Sequence, residues 1–266
     1  MLERHEIEAF LTLGDELHFG RTAERLHVST TRISQTVAKL ERRVGAALFH
    51  RTSRRVALTE AGRQLRDELR PAWDQVNAAV RRVSGTVSVA FVGAAGGQFV
   101  LRIVERYRER HPAAEVPVRE AQLGEFATWL LDGVVDVALV PYPIEVPGLA
   151  AGGVLISEAR MLAVSAQDPL AARQAVPVAE LADLPVLPPA ATFQEMLTCV
   201  GSGRGVLPVG AHVRRYYARP DVAYLPLTGA DPVEWGLAWH AERADARVVA
   251  LNRVAHEVVR GGASAA

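Results

Sequence analysis

Residues 29–45 leave the surrounding chain few ways to fold. Ile33, Val37, Leu40 and Val44 recur at spacings of 4, 3 and 4, drawing one apolar stripe along a helix. Ser29 stands where its hydroxyl can accept a free backbone N–H at the helix start, and Gly45 supplies a stop. The opposite face carries Thr30, Thr31, Arg32, Ser34, Gln35 and Lys39, polar groups of the kind that hydrogen-bond base edges. So one-sided a helix must bury its stripe against neighbours. Upstream, Ile7, Phe10, Leu11 and Leu17 suggest a helix ending near Gly14, and residues 20–26 a second short helix with Ala23 and Leu26 inward. His27 and Val28 are left for a tight turn. Two short helices joined by such a turn, the second polar at its N-terminal end, describe a helix-turn-helix.

Downstream, Ala47-Leu48-Phe49-His50-Arg51, Thr52-Ser53-Arg54 and Arg55-Val56-Ala57-Leu58 predict a small hairpin with Arg51, Arg54 and Arg55 near its tip. Such a wing can reach the sugar-phosphate backbone or the minor groove. A plain helical bundle with an exposed hairpin fits each element taken singly, so charge matters here. The chain holds 30 basic and 30 acidic side chains, but this neutrality is a cancellation. Residues 21–66 contain 11 basic and 3 acidic groups; residues 1–83 sum to +4 and residues 84–266 to −4. A basic segment centred on a helix-turn-helix favours a polyanionic partner.

The run FGRTAERLHVSTTRISQTVAKLERRVGAALFHRTSRRVALTEAG resembles the winged helix-turn-helix of LysR-type transcriptional regulators. Phe19, Ala23, Leu26, Ser29, Ser34, Leu40-Glu41, Gly45, Leu48-Phe49, Arg51, Leu58-Thr59 and Ala61-Gly62 carry the match. The resemblance implies double-stranded DNA as partner. Ser29, Thr30, Thr31, Arg32, Ser34, Gln35 and Lys39 would serve the major groove, and Arg51, Arg54 and Arg55 the backbone and minor groove. Thr30-Thr31 replaces the family's usual Gln-Pro, and Arg32 replaces a small residue. Both changes fall where the family contacts bases, so the operator sequence is not to be borrowed from better-known members.

Thr59 is placed to cap a further helix, along which Leu65, Leu69, Ala72, Val76, Ala79 and Val83 follow at offsets of 4, 3, 4, 3 and 4. This near-heptad seam predicts packing on a partner helix, with a plain intramolecular helix as the alternative. Pro71 should remove one hydrogen bond and kink it. By resemblance this is the linker through which such regulators form dimers or tetramers, which implies a partly palindromic operator.

From residue 84 the pattern changes. Residues 86–92, 116–120 and 136–140 read as strands, 93–97 as a small-residue loop, and Phe99, Ile103, Val104 and Tyr107 as one helix, with residues 124–131 as another. Strands alternating with helices predict a parallel α/β sheet, whose ligands sit outside the carboxyl ends of the strands. That places a small-molecule effector near Gly96, Gly97, Gln98 and the loop Pro141-Tyr142-Pro143. The same family's periplasmic-binding-protein-like effector domain is echoed by Gly133, Val135-Asp136-Val137-Ala138-Leu139, Asp168-Pro169-Leu170-Ala171, Glu180-Leu181-Ala182-Asp183 and Gly203-Arg204-Gly205. Only Pro188-Pro189-Ala190-Ala191-Thr192 separates Leu187 from Phe193, where the family usually has a further strand and helix.

The expected fold is therefore α plus α/β: a winged helix-turn-helix (1–62), a linker helix (63–84) and an effector domain (85–266). In the last, subdomain I covers about 85–156 and 230–266, and a reduced subdomain II covers 157–229. By resemblance the chain is an effector-modulated DNA-binding regulator that also meets RNA polymerase; a constitutive oligomeric regulator with a degenerate effector domain is the alternative. No enzyme signature, cofactor motif or close histidine pair is visible, and Cys199 reads as a buried thiol on a helix. No apolar stretch approaches the roughly 18 residues of a membrane span, and MLERHEIEAF lacks a signal peptide's apolar core, so a cytoplasmic protein is expected.

Overall fold

The computed structural model describes residues 2–51, 56–188, 190 and 192–263. The chain forms two compact units, Met1–Asn77 and Ala78–Ala266. The first contains α1 (Arg4–Glu16), α2 (Phe19–Arg25), α3 (Thr30–Val44), a hairpin of β1 (Phe49–Arg51) and β2 (Val56–Leu58), and the start of α4 (Glu60–Ser84). The stripe of α3 is buried over its first three members and not its fourth: Ile33, Val37 and Leu40 close on Phe10, Leu13 and Leu48, Phe10 meets Phe49 edge-on at 5.6 Å, and Val44, in the last turn, is exposed. Ser29 Oγ accepts the Arg32 N–H at 3.2 Å, and Gly45, at φ 79°, ends the helix in the left-handed conformation that glycine adopts without strain.

Two local expectations are revised. Helix α1 runs past Gly14 to Glu16, and Leu17, counted among the apolar residues of that helix, is its exposed left-handed cap at φ 48°. Its N–H still reaches the Leu13 carbonyl, so the backbone bond decides the helix end and not the side chain's hydrophobicity. Helix α4, capped by Thr59 Oγ1 accepting the Gly62 N–H at 3.0 Å, continues through Pro71. Its seam is divided. Leu65, Leu69 and Trp73 pack on the helix-turn-helix core, whereas Ala72, Val76, Ala79, Val80 and Val83 are exposed.

The second unit contains β3 (Val89–Val92), α5 (Gly93–Arg110), β4 (Val118–Ala121), α6 (Phe126–Asp132), β5 (Val137–Tyr142), β6 (Leu149–Glu158), β7 (Arg160–Ser165), β8 (Val176–Pro177), α7 (Phe193–Gly201), β9 (Leu207–Gly210), α8 (Val213–Tyr216), β10 (Val222–Thr228), β11 (Val233–His240) and α9 (Ala246–Ala263). Among the described residues one sheet has the order β4-β3-β5-β11-β6 and another β8-β10-β7-β9. The expected parallel sheet is mixed. Strand β3 runs parallel to β4 and β5, but β11 runs antiparallel to β5 and β6. The chain leaves the first sheet at β6 and re-enters through β11, and these two strands pair as neighbours of opposite direction.

Residues 93–97, expected as a loop, are the opening turns of α5. Their smallness serves packing: a Cβ at Gly97 would lie 2.9 Å from the Phe91 ring. Between the bridge Val186–Val206 and the α7 cap Thr192 no helix or strand occurs among the described residues. Cys199 is partly exposed, not buried. Leu197 and Val200 take the inner face of α7 and turn it outward, 4.0 Å from an Arg204 nitrogen.

Candidate nucleic-acid interface and ligand cavity

The first site is the N-terminal end of α3. Ser29, Thr30, Thr31, Arg32 and Gln35 are exposed together and Ser34 is half-buried, so the buried stripe turns this face outward. The helix presents its positive end on the same side, which suits phosphate as well as base edges. Arg54 and Arg55 lie outside the described residues.

Two cations assigned to DNA from the sequence have partners within the domain. Arg51 places Nη2 2.5 Å from Glu41 Oε2 and lies over the Phe19 ring at 5.4 Å. Glu41 Oε1 also accepts the backbone N–H groups of Leu48 and Phe49 at 2.9 and 3.2 Å. One carboxylate near the end of α3 thereby fixes the first wing strand. Lys39 reaches the fully buried Glu6 carboxylate at 3.3 Å, and Arg43 reaches it at 3.2 Å. The Glu3 N–H bond holds the Glu6 carboxyl below its ordinary 4.5; burial opposes this, and Lys39 and Arg43 add to the lowering.

The second site is a cavity of about 800 Å³ within the C-terminal unit. Its walls come from the carboxyl ends of β3, β4 and β5 (Val92, Ala121, Pro141), from α7 and β9 (Phe193, Met196, Leu207, Val209), and from Arg160, His212, Val213, Tyr217 and Trp235. Of the five residues expected to bind an effector, only Pro141 lines it. Gly96 and Gly97 face Phe91, and Gln98 Oε1 accepts the Tyr216 hydroxyl at 2.7 Å. Tyr142 turns into the sheet. Its hydroxyl donates to the Leu237 carbonyl at 2.7 Å and accepts the Gly152 N–H at 3.1 Å, and burial pushes its pKa up.

Behind the wall sits Glu158. Its Oε1 meets His212 Nδ1 at 2.6 Å and the Trp235 indole N–H at 2.7 Å, while Oε2 accepts the His212 backbone N–H at 2.8 Å. Burial pushes this carboxyl up, but the His212 and Trp235 hydrogen bonds outweigh it and leave the pKa lowered. No sequence signal pointed to this cluster, because its members stand on β6, β11 and the start of α8. Among the described residues no group of three or more His, Cys, Asp or Glu side chains could hold a metal ion, and no helix is long and apolar enough to cross a membrane.

Residues 5–63 match the family described as bacterial regulatory helix-turn-helix protein, lysR family, and residues 81–192 match the LysR substrate binding domain. The chain belongs to the family of LysR-type transcriptional regulators. The transcriptional regulator AlsR of Bacillus subtilis is 30% identical over 193 residues, which are 70% of this chain and 64% of AlsR. The match therefore spans just under two thirds of that relative. IlvR of Caulobacter vibrioides is 27% identical over 96% of this chain and 98% of its own. The fold is also that of CbnR, a LysR family regulator, at a TM-score of 0.63 and 18% identity, covering 97% of this chain and 99% of CbnR. CbnR has also been solved complexed with its target DNA, and that structure matches at a TM-score of 0.50.

Proposed function

We propose that the chain is a sequence-specific, DNA-binding transcriptional regulator of the cytoplasm, modulated by a small molecule in the C-terminal cavity. The observation that carries the reading is the outward polar face of α3, set in a segment with 11 basic and 3 acidic groups. Thr30, Thr31, Arg32, Ser34 and Gln35 enter the major groove, with Ser29 capping the helix and touching phosphate. Arg54 and Arg55 serve the backbone from the wing. Arg51 and Lys39 act mainly by holding the domain together, and their DNA contacts are secondary. Two copies joined along the exposed part of α4, as a dimer or within a tetramer, read a partly palindromic operator beside RNA polymerase. Domains at 1–62, 63–84 and 85–266 suit this division of labour. The cavity favours ligand modulation over a constitutive regulator, and nothing in the proposed action calls for catalysis.

Fluorescence anisotropy on a footprinted operator and on random duplex tests the reading. Replacing Arg32 by Ala should cost about 1–3 kcal/mol of discrimination between the two duplexes if it reads a guanine. An equal loss on both would remove Arg32 from base reading, and equal wild-type affinity for both would remove sequence-specific regulation altogether.

A further inference from the structure

We propose, resting on the regulator reading above, that the cavity's resident ligand is an uncharged, mainly apolar small molecule. Several of the hydrogen-bonding groups that could anchor an anion are already used by the chain itself. At the amino end of α5, where a helix attracts negative charge, the Ala94 N–H donates to the Tyr217 hydroxyl at 3.0 Å. Tyr217 thus fills the place an anion would take. On the opposite wall the Trp235 indole N–H and His212 Nδ1 are both committed to Glu158, which also takes the His212 backbone N–H.

Two formal charges remain among the lining side chains, Arg160 and Glu120, and they are opposite in sign. Arg160 donates from Nε to the Asp231 carbonyl at 3.0 Å. The rest of the wall is dominated by Leu187, Phe193, Met196, Leu207, Val209 and Val213. A carboxylate entering here gives up its hydration and recovers only what Arg160 and the Gln122 and Gln194 amides return, whereas an apolar molecule gives up little. The volume, about 800 Å³, accommodates a ligand of drug-like size.

The test uses two fluorescent probes with one ring skeleton: neutral N-phenylnaphthylamine and its sulfonate, anilinonaphthalenesulfonate. With the full-length protein the neutral probe should bind saturably and at least about tenfold more tightly than the sulfonate, the difference being the unreturned desolvation of the charge. Filling the cavity through Met196→Trp, or independently Val209→Trp, should abolish neutral-probe binding, with circular dichroism checking that each variant is folded. Tyr217→Phe releases the Ala94 N–H and should improve sulfonate binding several-fold relative to that of the neutral probe.

Equal or tighter sulfonate binding by the wild type overturns the proposal. So does the absence of saturable neutral-probe binding, or neutral-probe binding that survives in a folded tryptophan variant. Operator binding is measured on the same preparations. Its absence alongside the expected probe results would retire the regulator reading and leave the ligand class standing, and the converse result would do the reverse.

Discussion

Ser29 and Glu6 show how much of the first unit depends on single polar atoms. The Ser29 hydroxyl satisfies one of the free N–H groups at the start of α3, so Ser29→Ala should lower the unit's stability by about 1 kcal/mol, read from denaturant unfolding. Glu6 is lowered in the folded chain below an ordinary 4.5, so the folded state favours its ionised form. The unfolded state takes up a proton more readily, and stability falls as the solution is acidified. That stabilisation is fully present above about pH 4.5 and disappears as the pH falls through the lower folded value. An acid titration followed by tryptophan emission should show Glu6→Gln with a shallower loss of stability below pH 4.5 than the wild type. An unchanged slope would mean that the Lys39 and Arg43 contacts do not govern acid unfolding.

Among the elements, α3 and α4 each serve two masters. The stripe of α3 was legible because its spacing, a cap and a terminal glycine agree, although its last member, Val44, stays exposed. The role of Glu41 was not, because a carboxylate that receives two backbone N–H groups and an arginine looks, in sequence, like any surface acid. Glu41→Ala should leave those N–H groups short of a partner and cost roughly 2 kcal/mol, with the wing's amide exchange rising before that of α3. The apolar spacing of α4 was equally plain, but spacing cannot say which partner a stripe meets. Leu65 and Leu69 found their own domain; Val76, Val80 and Val83 did not. Sedimentation should therefore show Val76→Glu or Val80→Glu shifting oligomer toward monomer by at least about tenfold, while Leu69→Glu should unfold the helix-turn-helix unit instead.

For the whole molecule, two compact units imply two unfolding steps in calorimetry, and a neutral probe at about one hundred times its dissociation constant should raise only the C-terminal one, by about 2.7 kcal/mol. The outline of both units was readable from alternation and breakers. The cavity was not, because Arg160, His212, Tyr217 and Trp235 converge from segments that no local spacing connects. Sequence placed the effector at Gly96, Gly97, Gln98, Pro141 and Tyr142; Pro141 lines the cavity, whereas the two glycines pack on Phe91. Lys39 is the sole lysine of the chain, and its ammonium is paired with the buried Glu6. Amine acylation therefore has a single side-chain target here, and that target is structural. Acetylating it would strip a counter-ion from an enclosed carboxylate, so exposure to a reactive acyl donor should loosen the packing of α1 on α3 before it alters any contact with a ligand.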